Sequence, residues 1–328
     1  GPIPETIPGI EISTIRGWLA NHYLWQYLPE KSTVQPLERF HQHGEFQTPE
    51  QMLSLIRTIR QYGSGADVIE YNPNPVNPDH NQLLSSGYLD SAELRDRPFF
   101  LQYEHANGTR FIPADDNGHP KDMNDPHNRQ IFREDIDFMV RNVILPNQNR
   151  YVTLRGKAVI YLWSVAQMSG AFARLLEEIK RDYPVAFIGS INSLYLPSDP
   201  NNLESFRSLD GFMEYSLYPQ ATEEERKSGG VRYDRMRTLS LGAYLRVRSL
   251  ADRIEQQTGR RPLVIPTMQF AFDDSKWRGE KNPPMYALSR AEVESFARLI
   301  RESMDARSVS SVGPFVVLNE YFEGAAVA

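Results

Sequence analysis

The chain has 328 residues, 23 of them proline and none cysteine, with 40% hydrophobic and 11% aromatic residues and a formal net charge of -6. Its length fits two average domains or one large barrel, and its apolar share fills a sizeable core without disulfide staples. The absence of cysteine excludes disulfides, thiolate chemistry and cysteine zinc sites. Acidic and basic residues are mixed throughout, with no basic block to grip a phosphate backbone, so nucleic acid is not an expected partner.

No apolar run reaches the roughly 18 residues of a membrane span, so no transmembrane segment is expected. Gly1-Pro2 reads as the scar of tag cleavage; localisation stays open, with secretion or the periplasm favoured if a leader was removed. The first strand-like run is Leu19–Trp25. Thr48-Pro49-Glu50-Gln51 then offers a hydroxyl cap and a proline at the first helical position. A stripe of Met52, Leu53, Leu55, Ile56 and Ile59 predicts a helix over Gln51–Tyr62. Asp67–Tyr71 and Pro98–Glu104 are the next two strands, each followed by a polar insertion, Asn72–Gly87 and Asn107–His127. The 3.6-residue period predicts helices over Phe132–Val143 and Ala171–Tyr183, and a near-continuous apolar run between them predicts a strand over Lys157–Trp163. Ala186–Ile191 and Gly211–Leu217 read as strands five and six, and Tyr233–Thr258 as a long amphipathic helix. Leu263–Phe270 is the seventh strand, followed by the insertion Asp273–Pro284. Ser289 with Glu292 has capping-box spacing ahead of a helix over Arg290–Ala306, and Phe315–Asn319 is the eighth strand.

Eight strands alternating with helices predict a single (β/α)8 TIM barrel over residues 1–328, with extended βα loops on the C-terminal face, rather than an open doubly wound sheet. Near-continuous apolar runs such as Val159-Ile160-Tyr161-Leu162 suit strands buried on both faces. Little chain follows Phe315–Asn319, so either Ile3–Arg16 covers the place of an eighth helix or the chain is part of a longer protein.

The strongest chemical signal is Phe315-Val316-Val317-Leu318-Asn319-Glu320-Tyr321-Phe322-Glu323-Gly324. An apolar strand ends in Asn319-Glu320, and a second carboxylate, Glu323, follows three residues on. Two carboxylates on one turn can differ in burial, so that one stays ionised while the other keeps its proton, the division that glycosidic cleavage needs. Other strand-end residues suit a sugar by hydrogen bonding or stacking: Tyr23, Glu70, Tyr71, Glu104, His105, Trp163, Asn192, Tyr215 and Gln269, with Asn319 beside the pair. Trp277 and Arg278, in a Gly/Pro-rich loop, are platform candidates. His41 and His43 form the only close histidine pair and lack a third ligand, so no metal or other cofactor is expected. Asp115-Asp116-Asn117-Gly118 and Asp122-Met123-Asn124-Asp125 lack full calcium-loop spacing and read as turns.

Asn319-Glu320-Tyr321-Phe322-Glu323-Gly324 resembles the Asn-Glu-Trp-His-Glu-Gly signature of glycoside hydrolase family 99, the endo-α-mannosidase and endo-α-mannanase family. His22-Tyr23-Leu24-Trp25, Phe100–His105, Gly156–Tyr161, Asp210–Tyr215 and Pro266–Gln269, with Asp273-Asp274 and Trp277-Arg278, are similar to further family segments in the same order. The resemblance implies a barrel-fold retaining hydrolase of an α-mannoside-type linkage in an oligosaccharide or polysaccharide. It makes Glu320 the base toward the sugar's own 2-hydroxyl, Glu323 the general acid and then base, and Glu104 a substrate-binding residue. Tyr321-Phe322 stands where the family has Trp-His, and Ala325-Ala326-Val327 replaces the polar residues usual after the motif; these departures bear on the sugar. Two alternatives stay open: a polysaccharide-biosynthesis glycosyltransferase-like barrel of the WbsX type, and a carbohydrate-binding barrel without catalysis. Neither the oligomeric state nor endo versus exo action follows from the sequence.

Overall fold

A computed structural model of the chain describes residues 2–15, 18–21, 65–71, 87–103, 110–111, 121–163, 168–191, 206–214, 233–268, 289–303 and 316–318, with residues 50, 53, 56, 57, 73, 165 and 224 singly. The strands in chain order are β1 (Ile10–Glu11), β2 (Trp18–Asn21), β3 (Ala66–Tyr71), β4 (Phe99–Tyr103), β5 (Lys121–Asp122), β6 (Val152–Leu154), β7 (Lys157–Leu162), β8 (Met168–Ser169), β9 (Val185–Ile191), β10 (Gly211–Glu214), β11 (Leu263–Ile265), β12 (Thr267–Met268) and β13 (Val316–Leu318). The longer helices are α1 (Pro126–Met139), α2 (Phe172–Asp182), α3 (Tyr233–Thr258) and α4 (Arg290–Ser303).

The protein is α/β, with a curled parallel sheet and helices. The sheet runs β11-β10-β9-β7-β4-β3-β2-β13-β12. Within the described residues each of the eight predicted strand runs overlaps a member of this path, β11 and β12 sharing the seventh. Every pairing along that path is parallel. Its two ends, β11 and β12, are separated in the chain by Pro266 alone. Proline has no N–H to give a ladder, so the run is interrupted there.

Alternation assigns the two faces. Phe99 and Tyr103 of β4 lie on the helix-facing side, where the Tyr103 ring meets Phe132 of α1 edge-on with centroids 5.5 Å apart. Phe132 also meets Phe172 of α2 at 5.9 Å and Phe187 of β9 at 6.5 Å. One fully buried ring thus joins two helices to two strands; such a side chain contributes about 1.5–3 kcal/mol by burial. The register then places Phe100 and Gln102 of β4, Val159 and Tyr161 of β7, and Ile188 and Ser190 of β9 on the opposite, inner face. A methyl built on Gly211 would meet Ile188 and Leu263, which confirms that these three share a face.

α1 begins at Pro126, earlier than the predicted Phe132. Its first turn is almost wholly polar and carries no apolar stripe. The start is fixed by Asp125, whose side chain accepts the His127 N–H at 2.8 Å, with Pro126 in the first turn. Asp122 and Asn124 form a turn, as their composition predicts. A single π-helical turn, Val140–Ile144, extends the helix. α3 matches its predicted range. α4 starts with the expected capping box: Glu292 accepts the Ser289 N–H at 2.7 Å, and Glu292 N–H points back to Ser289 Oγ at 3.4 Å. Of the predicted helix over Gln51–Tyr62, residues 53, 56 and 57 are described and helical. No helix among the described residues is long and apolar enough to cross a membrane.

The N-terminal segment docks on the hairpin formed by β6 and β7. β6 and β7 form a hairpin whose two turn residues, Arg155 and Gly156, both have positive φ, 54° and 73°. That is the geometry of the tight hairpin turn that follows the natural strand twist, and glycine adopts it without strain. β1 adds to β6 in parallel, Ile10 opposite Val152, and Ile7, Ile12 and Ile15 are buried beneath it. Glu11 accepts the Arg155 N–H with both carboxylate oxygens, at 2.9 and 3.1 Å, which holds the strained residue in place. The described part of Ile3–Arg16, one of the two ways the sequence offered to fill an eighth-helix position, thus packs on the β6–β7 hairpin.

Candidate functional site

In a curled parallel sheet the C-terminal strand ends are where loops assemble a site. At that end, Glu70 of β3 is opposite Gln102 of β4, which is opposite Tyr161 of β7 and, through it, Ile188 of β9. The next inner line upward holds Ser190 opposite Met213 of β10, which is opposite Ile265 of β11. Gln102, Tyr161 and Ser190 are all nearly or wholly buried. Among the described residues, Ser190 Oγ has no hydrogen-bond partner. Phe100, Ile188, Met213 and Ile265 make the rest of this wall apolar. A carboxylate held above such a floor loses hydration on one side, which raises its pKa and lets it keep a proton near neutrality.

The helix-facing side braces the same strand ends. Asp135 of α1 accepts the Tyr103 hydroxyl at 2.5 Å and Arg110 Nη1 at 3.0 Å. It ties the last residue of β4 both to α1 and to the loop that follows the strand. Tyr71 ends β3 opposite Tyr103 and is buried on this same side. Burial first, then the negative charge of Asp135, pushes its hydroxyl well above the usual tyrosine range. Tyr71 is thus placed in the core between strand and helix, not on the inner wall, because a one-residue step along a strand reverses the face.

Two βα loops meet above these ends. β5 pairs in parallel with β8, joining the loop after β4 to the loop after β7. Lys121 of β5 is fully buried, with its ammonium 6.0 Å from the Phe111 ring centroid. Asn128, also fully buried, donates to the Asp122 carbonyl at 3.1 Å and anchors the pair to α1. Trp163 follows β7, half-buried against the core, its backbone N–H donating to the Tyr103 carbonyl at 3.4 Å.

Of the sequence-predicted site, the structure therefore places three members at neighbouring strand ends: Glu70 by register, Tyr71 on the helix side, and Trp163 at the rim. Tyr23, Glu104, His105, Asn192, Tyr215, Gln269, Trp277, Arg278, Asn319, Glu320 and Glu323 lie outside the described residues, as do His41 and His43. Sequence reading missed Gln102, Tyr161 and Ser190 as inner-wall polar groups, and Lys121 as a buried cation. Polar residues inside otherwise apolar strand runs were the available signal for the first three. Lys121 lies in a polar insertion, where nothing in the sequence marks a buried lysine. Among the described residues, no group of three or more His, Asp or Glu side chains is arranged to hold a metal ion.

No family model matches the chain, and no curated protein matches it. Solved structures share its fold. A glycoside hydrolase-like protein superposes with a TM-score of 0.54 at 14% identity, over 98% of this chain and 87% of its own. The GH99 endo-alpha-mannosidase from Bacteroides thetaiotaomicron superposes with a TM-score of 0.51 at 14% identity, over 94% of this chain and 86% of its own. The same endo-alpha-mannosidase in complex with bis-tris-propane gives a TM-score of 0.54 at 16% identity, over 94% and 85%.

Proposed function

We propose that the protein is a retaining glycoside hydrolase acting on an α-mannoside-type linkage, with Glu320 and Glu323 as its working carboxylates. The observation that carries this reading is positional. Leu318 is the last paired residue of β13, and the Asn319–Gly324 motif begins with the next residue, at the C-terminal end of a parallel strand. The fold shared with an endo-alpha-mannosidase over nearly the whole chain supports it. The sheet closes as a (β/α)8 barrel in this reading, because β11 and β12 are one interrupted strand bonded to β10 on one side and to β13 on the other.

Glu320 takes the proton of the sugar's 2-hydroxyl while that oxygen attacks the anomeric carbon. Glu323 protonates the departing glycosidic oxygen, and a 1,2-anhydro sugar results. Water then opens this ring as Glu323 removes its proton and Glu320 returns its proton to the 2-oxygen, so both carboxyls regain their starting states and retention follows from two inversions. The scheme differs from direct carboxylate attack on the anomeric carbon. Gln102, Tyr161 and Ser190 form the wall beneath, and Glu70, Glu104, His105, Trp163, Asn192, Tyr215, Gln269, Trp277, Arg278, Asn319 and Tyr23 supply substrate contacts. Tyr71 is left out of that set because it faces α1.

A glycan-release screen against α-mannans and high-mannose N-glycans tests the reading. Wild type should release oligosaccharides, and Glu320→Gln should keep sugar binding while turnover falls by about 10³-fold or more. Glu323→Gln should recover activity on aryl mannosides with good leaving groups, which need no protonation. Equal release by both variants and wild type would sink the assignment. Binding without release would favour a carbohydrate-binding barrel.

A further inference from the structure

At the opposite end of the sheet, a cleft of about 290 Å³ opens between the N-terminal ends of β7, β9 and β11, beside Asp210 and the Arg155–Gly156 turn. Its walls are Leu154, Val185, Pro262 and Leu263. Its charged lining is Arg155, Lys157, Lys180, Arg260 and Arg261, against a single acid, Asp210, among the described residues.

Most of these charges have fastening roles. Asp210 accepts the Phe187 N–H at 2.9 Å and Arg260 Nη1 at 2.8 Å, with Lys180 Nζ at 3.5 Å. Lys180 also meets Glu177 at 2.9 Å and the Ser208 carbonyl at 2.7 Å. Arg261 is held by Asp252 and Glu255, which are not part of the lining. Two cations remain. Lys157 Nζ meets a neutral backbone carbonyl, that of Glu5, at 2.6 Å. The Arg155 guanidinium has no ion pair among the described residues, because Glu11 spends its carboxylate on the Arg155 backbone N–H. Lys157 and Arg155 are therefore the lining cations whose charge meets no carboxylate among the described residues, and an anion entering the cleft would meet them directly.

We propose that this cleft binds a small oxyanion, a phosphate or sulfate group, held directly by Lys157 and Arg155 and backed by Arg260 and Lys180. A guanidinium fork and an ammonium suit the tetrahedral oxygens, and apolar walls on one side keep the charges poorly screened. The group is either a free ion or an ester carried on a sugar. The site is independent of the carboxylate pair and stands whether or not the hydrolase reading does.

Calorimetric titration at fixed ionic strength tests it, with inorganic phosphate as probe, a hexose phosphate as second ligand and chloride as control. Wild type should bind phosphate saturably. The Lys157→Gln, Arg155→Gln double variant should weaken that binding about tenfold or more, the loss of charge-assisted bonds. Lys157→Arg should retain it. If the double variant does not fold, Arg155→Gln alone, at an exposed side chain, carries the same test with a smaller loss. A hexose phosphate binding more tightly than phosphate identifies an esterified glycan, and equal or weaker binding identifies the free ion. Phosphate heat no larger than that of chloride, or a folded variant that binds as wild type does, overturns the proposal.

Discussion

Asp67 and Asp210 both meet arginine at the N-terminal end of the curled sheet, yet their surroundings differ. Asp67 is fully buried, and Arg97 grips both of its oxygens, at 2.9 and 3.0 Å, while the Tyr88 hydroxyl donates to it at 2.7 Å. Arg150 lies over the Tyr88 and Phe99 rings, 5.7 and 5.2 Å from their centroids, and seals that cluster. Asp210 instead borders a cleft and divides its charge between an arginine, a more distant lysine and one backbone amide. A sealed pair is a fixed part of the core, whereas an open one can exchange partners with an arriving ligand.

The comparison breaks if the two arginines prove equally important. Arg97→Met should destabilise the protein by about 3–5 kcal/mol, because it strands a buried carboxylate. Urea denaturation measures this, and a loss under about 1 kcal/mol would show that water reaches Asp67. Gly189→Ala reaches the open cluster through packing. The new methyl would lie 2.7 Å from Leu209 Cδ1 and 3.0 Å from Val165 Cγ1, and the Leu209 carbonyl is an acceptor for Arg260. A loss of about 1–3 kcal/mol is expected in the same assay. Arg260→Met should cost only about 1 kcal/mol, since Lys180, an amide and solvent remain for Asp210. A loss matching that of Arg97→Met would mean that the cleft is sealed in solution.

The smallest effect concerns a carboxylate on the outer surface. Tyr183 donates to Asp137 at 2.7 Å, and burial, then that hydrogen bond, raises its hydroxyl to about 12. Since the folded value lies above the unfolded one of about 10, this contribution is complete below about pH 10 and fades as pH rises through about 12. Denaturation midpoints of Tyr183→Phe should therefore approach those of wild type across that window. Parallel curves would remove Tyr183 from the alkaline response.

The strands were legible because each is an apolar run, and such runs persist where a parallel strand is covered on both sides. α3 and α4 were legible from periodicity and capping residues. The start of α1 was not, since its first turn is polar and its signal is Asp125-Pro126 alone. Which side of a strand a residue occupies was the weakest reading. Tyr71 and Glu70 differ by one position, and only the packing of Tyr103 against Phe132 reveals that Tyr71 belongs to the helix side. The role of Asp67 was equally hidden: an acid in the second position of a strand gives no sign of an arginine thirty residues later.

The register also constrains how the molecule comes into being. β2 pairs with β13, Leu19 opposite Val317, and β1 pairs with β6, Ile10 opposite Val152. Chain emerging from the ribosome must therefore wait for partners far along the sequence before either ladder can form. Until then β2 has one edge without its neighbour, the kind of exposed edge that recruits other chains. Folding with so many remote contacts is slow. The arrival of β13 is thus what completes the ladder for β2, so a chain interrupted before Val316–Leu318 would leave that edge of β2 open and prone to aggregation.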